Sequence, residues 1–183
     1  RLKYLGIPLV HYVAPTVWAW KPGRAKKIAQ FLDHLLVLLP FEPPYFEIEG
    51  LDCTFVGHSA VSHLPGDGPA FRDRHDISES AIVLGVLPGS RQGEVSRLLP
   101  EFLETAEQLN SEIDDLVVVV PAVDHVSAVI KQGFDGKSLR SVVVGADEKR
   151  DAFAAMNGAL AASGTVTLEL TLAGVPTVAA YRM

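Results

Sequence analysis

Residues 82–120 read IVLGVLPGSRQGEVSRLLPEFLETAEQLNSEIDDLVVVV, and this stretch decides the fold. It opens with an unbroken apolar run, Ile82–Leu87, and closes with another, Leu116–Val120. Neither alternates apolar with polar positions, the pattern of parallel strands buried on both faces. Between them Val95, Leu98, Leu99, Phe102, Leu103, Ala106 and Leu109 fall at i, i+3, i+4, i+7, i+8, i+11 and i+14, one apolar stripe of a helix. Pro100 interrupts the stripe and predicts a kink, or two short helices in place of one.

The same alternation runs outward in both directions. Ile7–Val13, Leu35–Leu39 and Thr54–Val56 are strand candidates on one side. Val142–Val144, Ala159–Ala162 and Thr177–Tyr181 are candidates on the other. Repeated strand–helix alternation means an α/β protein with parallel sheets. The turn-rich Leu64-Pro-Gly-Asp-Gly-Pro69 predicts a linker between two βα series. Residues 1–64 therefore read as the tail of one α/β domain and residues 65–183 as most of a second.

With 183 residues, 48% hydrophobic and 21% charged, the chain has the composition of a folded domain rather than a disordered tail. Its net charge of −6 argues against a nucleic-acid partner, for which the sign should be positive. The cations are unevenly placed. Arg1, Lys3, Lys21, Arg24, Lys26 and Lys27 all precede the first acid, Asp33. That segment fits an anionic ligand or membrane surface, and equally a solvated basic face. The lone Cys53 allows neither an internal disulfide nor a Cys-based zinc site and fits a reducing compartment. No apolar run approaches the ~18 residues of a membrane span, and no signal peptide is visible. Beginning at Arg1 and stopping at Met183 just behind a strand-like run, the sequence reads as a piece of a longer protein.

Two glycine patterns are decoys. Gly133-Phe-Asp-Gly-Lys-Ser138 lacks the first P-loop glycine, because position 131 is Lys, and Gly66-x-Gly68 has Phe71 where a third glycine belongs. Hydrolase and metalloenzyme motifs are absent, and the His residues are scattered. The first serious site is Leu87-Pro-Gly-Ser-Arg91, which follows a buried strand and opens a helix. Gly89 lets the backbone approach a ligand, Ser90 is placed to cap, and Arg91 offers a planar fork to phosphate oxygens. Alone, the same residues fit an ordinary capped turn with a solvated arginine.

Ser163-Gly164-Thr165 repeats that construction after the small-residue strand Ala159–Ala162. Ser163 is placed to cap, Gly164 leaves room for phosphate and Thr165 puts a hydroxyl in the first turn. Glu169 lies four residues on, one turn deeper on the same face, and Leu168 and Leu172 are expected to be buried beside it. A carboxylate behind an anion site can accept hydrogen bonds from adjacent sugar hydroxyls, and diphosphate followed by ribose describes a sugar nucleotide. An exposed helix glutamate is the plainer alternative. A third feature, His11-Tyr-Val-Ala-Pro-Thr-Val-Trp18-Ala-Trp20-Lys-Pro-Gly-Arg24, carries a strand into a Pro turn with two Trp and then a basic helix. Exposed, the indoles make an apolar wall beside cations, suited to a phosphorylated amphiphile; packed inside, they are core. Pro40-Phe-Glu42 and Gly57-His58 close two further strands of this half, where crevice residues often sit.

Taken together these segments resemble the lipid-A-disaccharide synthase family of bacterial glycosyltransferases. The matching strings are HYVAPTVWAW from His11 to Trp20, LPFE from Leu39 to Glu42, FVGH from Phe55 to His58, and LPGSR from Leu87 to Arg91 with Glu94. ASGT from Ala162 to Thr165 with Leu168-Glu169, and Tyr181-Arg-Met183, complete the set, in family order along the whole chain. The resemblance implies a GT-B fold, two Rossmann-like domains facing across a cleft, with no metal and no cofactor beyond the nucleotide-sugar substrate. It implies UDP-diacylglucosamine as donor and diacylglucosamine 1-phosphate as acceptor, joined β-1,6 with inversion. It also implies a cytoplasmic enzyme in peripheral contact with the inner membrane. Gly89, Ser90, Arg91, Ser163, Gly164, Thr165 and Glu169 become donor contacts, while His11, Trp18, Trp20 and Arg24 fall on the acceptor side. The general base is expected upstream of Arg1. Rival readings are a UDP-sugar 2-epimerase of the same fold and a non-catalytic sugar-nucleotide-binding domain.

Overall fold

The computed structural model describes residues 5–59 and 65–181. Arg1 and Lys3 of the basic segment, Leu64 of the expected linker, and Arg182 and Met183 of the last matching string lie outside the described residues. The chain divides into two compact units, Arg1–Ser62 and His63–Met183.

The first unit is a three-stranded parallel sheet in the order β1 (Val10–Tyr12), β2 (His34–Val37), β3 (Cys53–Phe55). Helix α1 (Arg24–Ala29) joins β1 to β2, and the single turn α2 (Pro44–Glu47) precedes β3. Leu35, Val37, Phe46 and Leu51 centre its small core, with Ala14, Val17 and Ala25 around them. The first two strands are shorter than their apolar runs, for local reasons. Val13 takes a φ of 76°, which ends β1. Beyond β2 the N–H groups of Leu38 and Leu39 turn away from the ladder to Glu42 Oε2, at 3.1 and 2.9 Å. Glu42 is buried, and its carboxylate shapes the turn after β2. Beside it, burial pushes the Cys53 thiol up to about 11, with the charges of Glu47, Asp52 and Glu42 acting in the same direction. This cysteine packs against the small core, with its Sγ–H donating to the Leu51 carbonyl at 3.4 Å.

The second unit is a five-stranded, all-parallel sheet in the order β6-β5-β4-β7-β8. Its strands are β4 (Ile82–Leu87), β5 (Leu116–Pro121), β6 (Arg140–Val144), β7 (Gly158–Ala162) and β8 (Thr177–Ala180). Helices α3 (Gly68–Arg74), α4 (Gln92–Glu112), α5 (Asp124–Gly133), α6 (Lys149–Ala155) and α7 (Thr165–Leu172) connect and cover them. The unbroken strands are explained by two cores. Leu116, Val118 and Val120 of β5 join Leu98, Phe102 and Ile130, whereas Val117 and Val119 join Phe71, Phe153 and Leu170.

Helix α4 is one continuous element and is not split at Pro100. Pro100 is exposed, while Val95, Leu98, Leu99, Phe102, Leu103 and Ala106 are buried. An interior proline costs about 3 kcal/mol, less than several buried Leu and Phe side chains return at roughly 1.5–3 kcal/mol each. The stretch read as a linker lies beside the division between the two units, and its last two residues, Gly68 and Pro69, already belong to α3. Asp67 caps α3 by accepting from the Ala70 N–H at 2.9 Å, and Gly66 and Gly68 lie so close to the Arg150 and Ala154 carbonyls that a Cβ at either would collide. These glycines are a helix seam, since a residue without Cβ permits backbone-to-backbone approach.

Candidate functional site

From β4 the chain moves outward through β5 and β6, then returns to the other side of β4 for β7 and β8. The order reverses between β4 and β7, and ligands of open parallel sheets bind at the carboxyl ends of the strands beside such a reversal. The loops there are Pro88–Arg91, after β4, and Ser163–Gly164, after β7.

After β4, Gly89 has a φ of +121°, and a Cβ on it would run into the Glu94 side chain. Glycine is required here. The expected Ser90 cap is not formed. Arg91, with φ −108° and ψ 142°, is the N-cap residue, and a guanidinium has no acceptor to offer. Glu94 serves instead, from inside the first turn. Its Oε2 accepts from the N–H groups of Ser90 and Arg91 at 3.2 and 3.3 Å, and its Oε1 pairs with Arg91 Nη1 at 2.7 Å. Burial opposes ionisation of Glu94, but the Arg91 guanidinium and the two backbone donors together hold its carboxyl below the usual range. His125 Nε2 lies 2.8 Å from the Ser90 carbonyl oxygen; a carbonyl only accepts, so this nitrogen carries the proton.

After β7 the construction differs. Gly164 is the N-cap of α7 and no side chain caps the helix. The Ser163 N–H donates to the Ala180 carbonyl at 2.8 Å, extending the β7–β8 ladder. No acid lies in the first turn of α7. The buried face is also not the expected one: Leu170 is buried, Leu168 is half-buried and Leu172 is 49% exposed. Apolar Val166, Leu168, Leu170 and Leu172 alternate with Thr and Glu, which spreads them over opposite sides of the helix, so periodicity could not choose the face.

These elements enclose a cavity of about 300 Å³ lined by Gly89, Ser90, Thr165 and Glu169, with Lys149 at the start of α6. Its remaining wall is Leu87, Pro121–Val123, Gly145, Ala146 and Val166, the ends of β4, β5 and β6 and the face of α7. Four of the seven donor-side residues named from sequence thus meet in one place. Arg91 does not line the cavity, its guanidinium being turned to Glu94 with the side chain 82% exposed. Ser163 lines a neighbouring hollow with Glu94, Arg97 and Tyr181. Glu169 Oε2 accepts from Lys149 Nζ at 2.6 Å.

Comparison with known proteins decides the family. The profile of the lipid-A-disaccharide synthetase family matches residues 1–183. The chain belongs to this family. Among curated lipid-A-disaccharide synthases it is 57% identical to that of Rhodospirillum centenum over 188 residues, covering 100% of this chain and 47% of the relative. It is 50% identical to that of Paramagnetospirillum magneticum over 186 residues, covering 100% of this chain and 48% of the relative. The Ruegeria pomeroyi protein is 47% identical over 189 residues, covering 97% of this chain and 47% of the relative. The chain spans about half the length of the curated relatives it matches.

In this synthetase family member the first unit holds a second hollow, of about 410 Å³, lined by His11, Arg24, Val13–Pro15, Ile28, Phe31 and Leu32. Trp18 and Trp20 lie outside it and are exposed by 42% and 66%, so neither indole is core. Trp18 stands edge-on to Phe41 with ring centres 5.3 Å apart, and Lys21 Nζ sits 5.9 Å from the Trp20 ring. Among the described residues no group of three or more His, Cys, Asp or Glu could hold a metal ion, and no helix is long and apolar enough to cross a membrane.

Sequence reasoning missed Lys149 and His125. Each stands alone in sequence, and only the topology carries α6 and α5 to the cavity. One available signal was their position, each at the start of a helix that follows a strand of the same sheet.

Proposed function

We propose that this protein transfers diacylglucosamine from its UDP donor to diacylglucosamine 1-phosphate, forming the β-1,6-linked lipid A disaccharide with inversion. On this reading residues 65–183 are the UDP-sugar-binding domain, residues 1–64 belong to the acceptor-side domain, and the two together are part of a GT-B enzyme. The observation that carries it is the meeting of Gly89, Ser90, Thr165 and Glu169 around one cavity at the point where the strand order reverses. The start of α7 has no side-chain cap and no acid in its first turn, which suits the diphosphate. Glu169, one turn deeper, suits the ribose hydroxyls, because an ionised carboxylate is an acceptor with room for two donors. Such a clamp stabilises the departing diphosphate by fixed donors already in place.

The hollow bearing His11 and Arg24, with Trp18 and Trp20 exposed nearby, belongs to the acceptor side on this reading. Indoles beside Lys21 match a phosphorylated amphiphile and the cytoplasmic surface of the inner membrane, where aromatic rings and cations act together.

Titration calorimetry tests the donor site. UDP is expected to bind the intact protein in the presence of EDTA. Glu169→Ala is expected to weaken UDP by about 1.5–3 kcal/mol, the range for a hydrogen bond to a charged group, and to weaken 2′,3′-dideoxy-UDP far less. Equal losses for both ligands would move Glu169 away from the ribose.

A further inference from the structure

Lys149 belongs to no motif visible in the sequence, yet it lines the cavity and pairs with Glu169 at 2.6 Å. Neither side chain is freely exposed, at 34% for Lys149 and 23% for Glu169. The start of α6 has little freedom. Glu148, the preceding residue, accepts from Arg74 Nε at 3.2 Å and faces His75 Nε2 at 2.9 Å. Asp151 accepts from Arg74 Nη2 at 2.6 Å and from the Asp67 N–H at 2.8 Å. The glycine seam against Arg150 and Ala154 closes the same helix pair. The Lys149 ammonium also lies 5.5 Å from the Phe153 ring, one turn along α6. The cation is therefore mounted on a fixed base, not on a mobile surface.

We propose that Lys149 is the positioning residue for Glu169, holding its carboxylate in the orientation that reads the ribose diol. The inference rests on the donor-site reading above and extends it to a residue on another helix. An ammonium on one oxygen uses one of the roughly four acceptor positions of a carboxylate and leaves the others for two hydroxyls. A glutamate already held in place has less rotamer freedom to lose when the ligand arrives. The pair is also neutral as a whole.

The test is a binding series with the intact protein, UDP and 2′,3′-dideoxy-UDP, on Lys149→Met, Lys149→Arg, Glu169→Gln and the Lys149→Met/Glu169→Gln double variant. Lys149→Met is expected to weaken UDP about tenfold, which corresponds to ~1.4 kcal/mol, and dideoxy-UDP less than about twofold. Lys149→Arg should recover most of the loss, and the Lys149→Met effect should vanish in the Glu169→Gln background. Unchanged UDP binding by Lys149→Met, or an equal loss for both ligands that persists without the Glu169 carboxylate, overturns the positioning role. A different pattern identifies failure of the underlying reading: Glu169→Gln itself then fails to distinguish UDP from dideoxy-UDP, and the inference falls with it. Far-ultraviolet circular dichroism of each variant separates lost folding from lost binding, and a correctly folded Lys149→Arg keeps the test decisive.

Discussion

The two helix starts at the cavity share a sequence plan and differ in what fills them. At the start of α4, Glu94 reaches back to the Ser90 and Arg91 N–H groups and to the Arg91 guanidinium, so the donors already hold an anion. At the start of α7 there is no side-chain cap and no acid in the first turn. Strand, glycine, hydroxyl and helix recur at both, but the charge three residues inside the helix separates them. A helix N-terminus carries about half a positive charge, and what matters for a ligand is whether the protein has already answered it. On the proposed donor-site reading the α7 start receives the diphosphate, and the α4 start, already paired with Glu94, is a wall whose Gly89 and Ser90 shape the cavity.

The largest expected effect comes from making the second start resemble the first. Thr165→Glu places a carboxylate beside the open N–H groups and should weaken UDP by about 100-fold or more, since like charges near 4 Å repel by several kcal/mol even at an effective dielectric of about 20. Wild-type affinity in that variant would show that the anion sits elsewhere. Next, Gly89→Ala should cost about 1–3 kcal/mol in urea denaturation, because it forces a side chain into a left-handed conformation and against Glu94. Removing the obstacle in Gly89→Ala/Glu94→Ala should recover part of that loss and leave the backbone strain.

Smaller still, Glu94→Gln keeps an acceptor for the N–H groups but drops the charge. It should tighten UDP by about two- to fivefold, the scale of one charge near a helix end; no change would mean that the α4 start is electrostatically remote from the ligand. The smallest effect is on acid stability. The Glu94 carboxyl is held below its usual range in the folded protein. A lowered folded value means that the stability it adds is present above the unfolded value, near pH 4, and is lost as pH falls through the folded value. Glu94→Gln should therefore flatten the acid limb of a melting-temperature profile below about pH 4. Asp151, lowered by the Asp67 N–H and then by Arg74, behaves in the same sense, and Asp151→Asn should add its own flattening.

The frame was legible wherever burial wrote itself into runs of one character. Ile82–Leu87 and Leu116–Pro121 are strands because both their faces are covered, and the Val95–Ala106 stripe is buried as its spacing predicts. Thr165 and Glu169 lie together at the cavity because four residues is close to one helical turn. What stayed illegible was fixed by packing at a distance. The N-cap after β4 lies one residue later than Ser90, at Arg91, where Glu94 reaches back to accept from the Ser90 and Arg91 N–H groups. The buried face of α7 could not be chosen among Leu168, Leu170 and Leu172, since its apolar residues come at every second position and so fall on opposite sides of the helix. Lys149 meets Glu169 across 20 residues of sequence, a distance at which no local pattern speaks.

The glycine seam between α3 and α6 has a practical meaning for anyone cutting this chain. Gly66, Asp67 and Gly68 look like dispensable connecting sequence, and a truncation starting at Phe71 would seem generous. It would remove the N-terminal turn of α3, the Asp67 cap and the Asp67 N–H that holds Asp151. It would also uncover the Arg150 and Ala154 carbonyls, next to the residue that supports Glu169. A cut upstream of Pro65 keeps all of these together, so the choice of a few residues decides whether an isolated second unit reports on the proposed nucleotide site or on its own frayed edge.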